Sequence, residues 1–515
     1  MAVGDFTPYS TIVPFVTTMP SWVRPADQER IASYQVYEEI YWNNPDSFKL
    51  VLRGTNDKAI YIPSAKTIVE TAHRYVGTKL KWRPDPLLGT TADQANIMAA
   101  FNALFARERF ASKYNANKRF GLIRGDWLFH VTADDTKEQG TRISLHTVDA
   151  ASYFPIFEDE VVKGGSPNRI VKVHLAEQFT DTDGLYGQKG KIYVRRQTYE
   201  KLPTGLIQSS TLIADPDKWF DDSKAGTMYE VPAFTLDPRI TSIPVYHLRN
   251  FDEPGNPFGS SEIRGLERLI AAINQSVSDT DLALALDGLG LYATSSGGPI
   301  DADGNDVDWI IGPGRVIENV PADFRRVTGV GSVKPAQDHV QMIYNFMKEA
   351  SGTPDVAVGK VDVQVAESGV ALALDMAPML GKAEEKDTII IDVLAQFAYD
   401  LATMWFPVYE SQSFGEAQLI PVINSSDKLP VNRQAVLTEV TTMMMTDPPL
   451  LSATTGRQIL STELGIPFAS DELTRIIQEQ AAMLSAAPSD PASADPQGDR
   501  LASEDTGNGT GDTAQ

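Results

Sequence analysis

The sequence predicts an α+β fold, and three observations carry that expectation. Apolar residues recur at helical spacing through the first hundred or so positions of the 515-residue chain. Residues 119–199 then alternate apolar and polar side chains, the period of half-buried strands. Beyond residue 260, three long apolar stripes return to helical spacing.

Composition narrows the possibilities. The chain carries 45 Lys+Arg and 68 Asp+Glu, giving a net charge of −23 at pH 7 and a pI of about 4.7. At roughly 100–200 residues per domain, such a length predicts roughly two to four domains. A hydrophobic content of 42% supports real cores and excludes wholesale disorder. The absence of cysteine excludes disulfides, thiolate metal sites and cysteine-based catalysis. No window approaches about 18 consecutive apolar residues, so no membrane span is expected. Met1–Asp5 lacks the basic segment and apolar core of a secretory signal. Tight nucleic-acid binding rests on Lys and Arg displacing counterions from phosphates, so an acidic chain disfavours it; passing contact with DNA stays open.

Helices are expected at Gln28–Tyr41, within Tyr61–Val76 after a strand edge, and at Thr91–Phe110. Strands are expected at Arg119–Thr132, Thr141–Val148, Arg169–Val173 and Lys191–Tyr199, with turn clusters such as Lys163–Pro167 between them. Residues 1–255 read as one α+β domain. The Pro- and Gly-rich run Asp252–Gly259 breaks the chain there.

A helix is expected to follow, capped by Ser260 or Ser261 with Glu262 in its first turn, and striped by Ile263, Leu266, Leu269, Ile270, Ile273 and Val277. Gly288 and Gly290 end it. A small β insert over 289–333 holds strand candidates Leu291–Thr294, Val307–Ile311 and Arg315–Ile317. A second helix begins at Pro335, carries Val340, Ile343, Tyr344 and Met347 on one face, and stops at Gly352. After a loop over Thr353–Ala366, a third helix runs from Glu367 to Phe406, and Pro378 should kink it. Three helices are expected at Val431–Met445, Ser452–Leu464 and Ser470–Leu484. The Ser/Pro/Gly/Asp-rich tail from Ala486 should be disordered.

Searches for catalytic motifs return nothing. Gly187–Ile192 lacks the first glycine of a phosphate loop and places Ile192 where a hydroxyl must reach the metal. His73, His130, His146, His174, His247 and His339 are scattered singly, without metal-ligand spacing. The acidic run Asp301–Asp308 fails as a calcium loop because Asp306 and Gly312 stand where Gly and a bidentate Glu are needed. The one basic concentration, Arg107, Arg109, Lys113, Lys118, Arg119 and Arg124 among Phe105, Phe110, Tyr114 and Phe120, reads either as a nucleic-acid patch or as a helix face with its cationic stems laid over aromatic core.

Several stretches together resemble the portal proteins of tailed bacteriophages. Gly125–Val131 with Ile143–Phe157 resembles the strand pair of the portal wing. Asn256–Ile263 followed by Leu266–Asp281, with Asn274, Ser278 and Asp279, resembles the approach to the first stem helix. Ser368–Leu372 opens the kinked helix, and Lys428–Pro430 precedes the crown-like helices. The resemblance spans most of residues 28–484 and rests on order and spacing.

It implies a dodecameric ring at one capsid vertex, with no catalytic site and no cofactor or metal. The wing would comprise residues 1–255 and the kinked helix 367–410, and the stem 256–288 and 334–352. The clip would be 289–333, the tunnel loop 353–366 and the crown 411–485, with an acidic tail from 486. Pro354, Asp355, Val356, Lys360 and Asp362 would lie near DNA. Asp303, Asn305, Asp306 and Trp309 would form the clip's docking surface. Implied partners are the terminase large subunit, the head–tail adaptor, the capsid and scaffolding proteins, and double-stranded DNA in transient contact. A virion location follows, after assembly in the bacterial cytoplasm. Because a ring closes through heterologous contacts, the stripes Ile263/Leu266/Ile270/Ile273 and Val340/Ile343/Met347 are expected between subunits. Another capsid or head–tail component and a carboxylate-based hydrolase are the competing readings.

Overall fold

The computed structural model describes residues 25–48, 50–51, 59–161, 163, 169–216, 218, 227–289, 291–293, 295, 303, 322–323, 325–327, 334–360, 369–423, 433–446, 450, 456, 460 and 478. The N-terminal helices are α1 (Pro25–Tyr41), α2 (Ser64–Tyr75), α3 (Thr91–Arg107) and α4 (Phe110–Arg124). Thr90 caps α3 through a capping box with Asp93, which satisfies two backbone donors at that end. Helix α4 is a departure from expectation, because residues 119–124 alternate like a strand yet complete a helix. Gly125 decides where it stops. Its φ of 110° is left-handed, and a Cβ there would lie 2.6 Å from the Gly259 carbonyl oxygen.

Two antiparallel sheets follow. Strands β2 (Asp126–Ala133), β3 (Ile143–Val148) and β9 (Val245–Arg249) form a three-stranded sheet in the order β3-β2-β9. Strands β4 (Tyr153–Phe157), β5 (Ile170–Thr180), β6 (Ile192–Lys201), β7 (Ile207–Ala214) and β8 (Thr227–Thr235) form a five-stranded meander in chain order, with the four-residue helix α5 (Glu158–Val161) after β4. The short strand β1 (Lys81–Pro84) pairs with β12 (Leu419–Val422) from the far end of the chain.

Helix α6 spans Glu267–Leu289 and α7 spans Lys334–Ser351. Between them the short strands β10 (Leu291–Ala293) and β11 (Arg325–Val327) pair antiparallel. The strand candidates at 307–311 and 315–317 lie outside the described residues. Helix α8 then runs Gly369–Asp400 with Pro378 inside it. It passes into a π-helical segment, Leu401–Glu410, which contains Pro407, a residue with no N–H for the ladder.

One core joins α2, α3, α4, the three-stranded sheet, α6, α7 and α8 around buried Phe101, Phe129, Ile270, Leu394 and Phe397. A second lies between α1 and the five-stranded sheet. The chain falls into two compact units, Met1–Leu429 and Pro430–Gln515. Two expected boundaries therefore change. Residue 255 does not divide compact units, and 411–423 belong to the first unit, because β12 completes β1. In the second unit, α9 (Arg433–Met445) buries Val440. The expected helix at 470–484 and the acidic tail fall almost wholly outside the described residues, as does most of 452–464.

Among the described residues one helical stretch, Leu374–Glu410, is long and apolar enough to cross a membrane by length and composition. Half of its most apolar window is buried inside the structure, and Asp387 and Asp400 within it are buried and hydrogen-bonded. The Gly77 N–H donates to Asp387 Oδ1 at 2.7 Å, and Ser242 Oγ and Tyr246 Oη donate to Asp400 Oδ2 at 2.7 and 2.9 Å. Those contacts mark a core helix.

Two histidines on β2 and β5 are buried in their neutral form. His130 Nε2 lies 2.8 Å from Tyr199 Oη, and His174 Nδ1 lies 2.8 Å from Thr198 Oγ1. Burial, helped by His146 and Arg195, pulls the His130 pKa down to about 3; burial also depresses His174. In the unfolded chain each protonates near about 6.5, so the unfolded state binds protons that the folded state refuses. That contribution to stability is complete above about pH 6.5 and is lost as the pH falls toward 3. Asp149 runs the other way, because burial lifts it to about 6 despite Arg124, and it favours the fold as the pH falls. His130→Gln isolates the histidine term. Between about pH 7.5 and 5 the unsubstituted chain should lose about 2 kcal/mol more than the variant in urea unfolding; parallel losses would refute the assignment.

Candidate functional site

Apart from exposed Arg109, the basic concentration around α4 is engaged within the fold. Lys118 Nζ donates to the Val76 and His73 carbonyls at 2.7 and 3.2 Å, closing the C-terminal end of α2 where the helix dipole favours a cation. Arg124 pairs with Glu38 at 2.6 Å and Asp149 at 2.7 Å, and Arg119 pairs with Glu70 at 2.9 Å. Lys113 reaches Glu108 and the Leu145 carbonyl, while Arg107 donates to the carbonyls of Gly140 and Ile143. Those cations tie α4 to α1 and α2, and Arg107 and Lys113 tie the helices to β3.

The loop after α7 is built tightly. Gly352, at φ 62°, ends the helix, and the Thr353 N–H donates back to the Lys348 carbonyl at 3.1 Å. Pro354 is extended, Asp355–Val358 form a single 3₁₀ turn, and Gly359 closes it in the left-handed region. The Lys360 N–H donates to the Asp355 carbonyl at 3.0 Å. Ala357 is buried and Val356 half-buried, so the turn is nailed to the core by its apolar side.

Charge on this loop is now assignable. Lys348 Nζ lies 2.6 Å from Asp355 Oδ1 and 4.5 Å from the centre of the Tyr344 ring. Lys360, 5.5 Å from the same ring, is exposed, and among the described residues no carboxylate is in ion-pair contact with it. The turn thus presents a cation with its nearest acid already neutralised. Asp362 lies outside the described residues. Of the clip positions, Asp303 sits exposed in a turn, while Asn305, Asp306 and Trp309 lie outside them.

The stem stripes require a correction. Ile263, Leu266, Ile270, Ile273, Ile343 and Met347 are all buried in this chain's own core, none more than 7% exposed, and Val340 is half-buried in the groove between α6 and α7. A side chain already covered by its own subunit has no surface to offer a neighbour. The reason is packing the sequence did not reveal: α6 and α7 lie against each other and share one core with α2, α3, α4 and α8. The polar row on α6 is equally engaged. Asn274 Oδ1 and Ser278 Oγ accept from the Ile62 and Ile60 N–H groups at 2.9 Å each, and Gln275 Oε1 accepts from the Val51 N–H at 2.8 Å.

Below the loop sits a cluster that sequence reasoning missed. Glu262 does not begin a helix; α6 starts later, after a turn in which Ser261 Oγ accepts from the Ile263 N–H at 3.0 Å. The Glu262 carboxylate is fully buried and contacts the ammonium groups of both Lys382 and Lys386 on α8. Lys386 also lies 3.8 Å from the centre of the Phe251 ring. Burial pulls both lysines down, Lys382 to about 8. A signal was present: the two lysines stand one turn apart, on the same helix face as buried Met379, Ala383 and Ile390.

No family model matches the chain, and no curated protein does. Among solved structures, it is similar to a chain of the virion of a native gene transfer agent particle (12% identity, TM-score 0.38, covering 88% of this chain and 96% of that one). It is also similar to chains of the neck of an empty particle computed with C6 symmetry (13%, 0.40, 90% and 100%) and of the neck of a native particle computed with C12 symmetry (14%, 0.37, 79% and 91%). With every TM-score below 0.5, function must be argued from the chain itself.

Two substitutions test the packing. Ile270→Ala should cost about 2–5 kcal/mol of unfolding free energy, because it opens a cavity inside one subunit. A loss confined to oligomerisation, with the subunit's own unfolding unchanged, would return the stripe to an interface. Glu262→Gln should cost about 3–5 kcal/mol, since it strands buried ammonium groups; a neutral result in denaturant titration would show the cluster to be dispensable.

Proposed function

We propose that this chain is a portal subunit: a non-enzymatic structural protein that forms a dodecameric ring at one vertex of a phage-like capsid. Through that ring DNA would be packaged and later ejected. The observation that carries the reading is the order of elements after residue 260. An antiparallel helix pair, α6 and α7, is joined through a small β pair, followed at once by a cation-bearing turn and then by the long helix α8. Helix–β–helix–loop–long helix is the series expected of a stem, clip, tunnel loop and wing helix.

The physical chemistry supports the same assignment. DNA carries a negative charge about every 1.7 Å of axis, so a channel that lets it slide must avoid many fixed phosphate clamps. A subunit of net charge −23, in which Lys113, Lys118, Arg119 and Arg124 on α4 are engaged by its own carbonyls and carboxylates, offers few of them. Lys360 on the turn would supply a single weak contact per subunit. The tip beyond β10 and β11 would face the terminase during packaging and the head–tail adaptor afterwards. The capsid and scaffolding proteins would meet the outer wing.

Electron microscopy in negative stain, with native mass measurement across a range of concentrations, tests the proposal. Rings with a central hole and a mass of about twelve subunits are expected. A monomer or dimer at every concentration, with or without scaffolding protein, would overturn it.

A further inference from the structure

We propose that Lys382 is a latch coupling the turn after α7 to the approach to α6, and that Lys386 is the fixed partner that lets the latch release without leaving Glu262 unpaired. Lys382 touches four residues at once. Its ammonium contacts Glu262 before α6 and donates to the Ser351 carbonyl at 2.8 Å, at the last residue of α7. Its stem passes Gly352, whose added Cβ would lie 3.8 Å from Lys382 Cδ, and its charge lies 5.8 Å from the centre of the Phe251 ring.

The two lysines are unequal. Lys386 is 1% exposed and meets Glu262 and the Phe251 ring, whereas Lys382 is 13% exposed and shares itself between a carboxylate and a helix-terminal carbonyl. Removing Lys386 leaves the buried carboxylate with one half-committed lysine and the amide of Asn250, whose Nδ2 donates to Glu262 Oε1 at 3.3 Å. Removing Lys382 leaves the carboxylate with its deeper partner intact. The charge requirement of the core can thus be met while the end of α7 is free.

Other contacts hold that end as well. The turn is tied by the Lys348–Asp355 pair, by local N–H bonds of Gly352, Thr353, Ala357, Gly359 and Lys360, and by the buried Ala357 methyl. Lys382 is the side chain that carries its position to α6 and α8 together. A push on the exposed Lys360 face would reach the Glu262 cluster through this ammonium, beside the apolar contact of the turn with α8. The inference concerns a single subunit and stands whether or not rings form, so its failure and the failure of the portal proposal are distinguishable.

Hydrogen–deuterium exchange on the full chain tests it, comparing the unsubstituted protein with Lys382→Met and Lys386→Met. Lys382→Met should speed exchange at the five amides named above by at least about tenfold, with β2, β5 and β6 unchanged. Lys386→Met should speed exchange in β2 and α8 as well, or fail to fold. Unchanged exchange at 352–360 in Lys382→Met would overturn the proposal. So would a Lys382→Met chain that loosens β2 to the same degree or does not fold, because Lys382 would then be the fixed partner.

Discussion

The fold depends on one buried carboxylate. Glu262 sits in the stretch between the end of β9 and the start of α6, where its backbone N–H donates to the Leu122 carbonyl at the end of α4 at 3.0 Å and its side chain meets two lysines from α8. An ionised carboxylate taken out of water costs several kcal/mol unless opposite charge and hydrogen bonds are in place. Those partners come from segments more than a hundred residues apart in the chain. The cluster can therefore be satisfied only when α4, α6 and α8 have all reached their places.

Helix α8 extends the same logic. Its composition is apolar enough to suit a bilayer, yet each polar group named on it is a docking point: Asp387 takes the Gly77 N–H, Asp400 takes Ser242 and Tyr246, and Glu410, at the end of the π-helical segment, takes the N–H groups of Gly140 and Arg142. A buried carboxylate that accepts backbone N–H groups fixes direction and register where apolar packing alone would tolerate sliding. The helix is thus a spine with attachment points spaced along it. It packs on the turn at 355–358 and holds the approach to α6 through Lys382 and Lys386.

This arrangement bears on how a ring could be built. The stripes on α6 and α7 face inward, so intersubunit contacts must use other surfaces. The apolar side chains that α7 leaves outward include Met342 and Phe346, 46% and 52% exposed. Net charge and structural use of the α4 cations both suit a channel wall without strong phosphate clamps. The turn that carries Lys360 is held by contacts local to α7 and by one lysine from α8.

The α+β class, the antiparallel strands, the two helices around a β insert and the long apolar helix were all legible from periodicity, because burial on one face imprints a period of 2 or 3.6 on the residues themselves. The turn at 355–358 was legible only as a loop. Residues 119–124 were misread because six residues of alternation suit a strand, and only the close approach of Gly125 to Gly259 decides that they close a helix. Strand β12 could not be seen, since its partner β1 lies over 300 residues away. An apolar stripe records that a face is covered and never says by what. For that reason the sequence by itself determined which residues of α6 and α7 are buried, whereas only the tertiary structure decided that the two helices pack on each other within one shared core, and that Glu262 is held by Lys382 and Lys386.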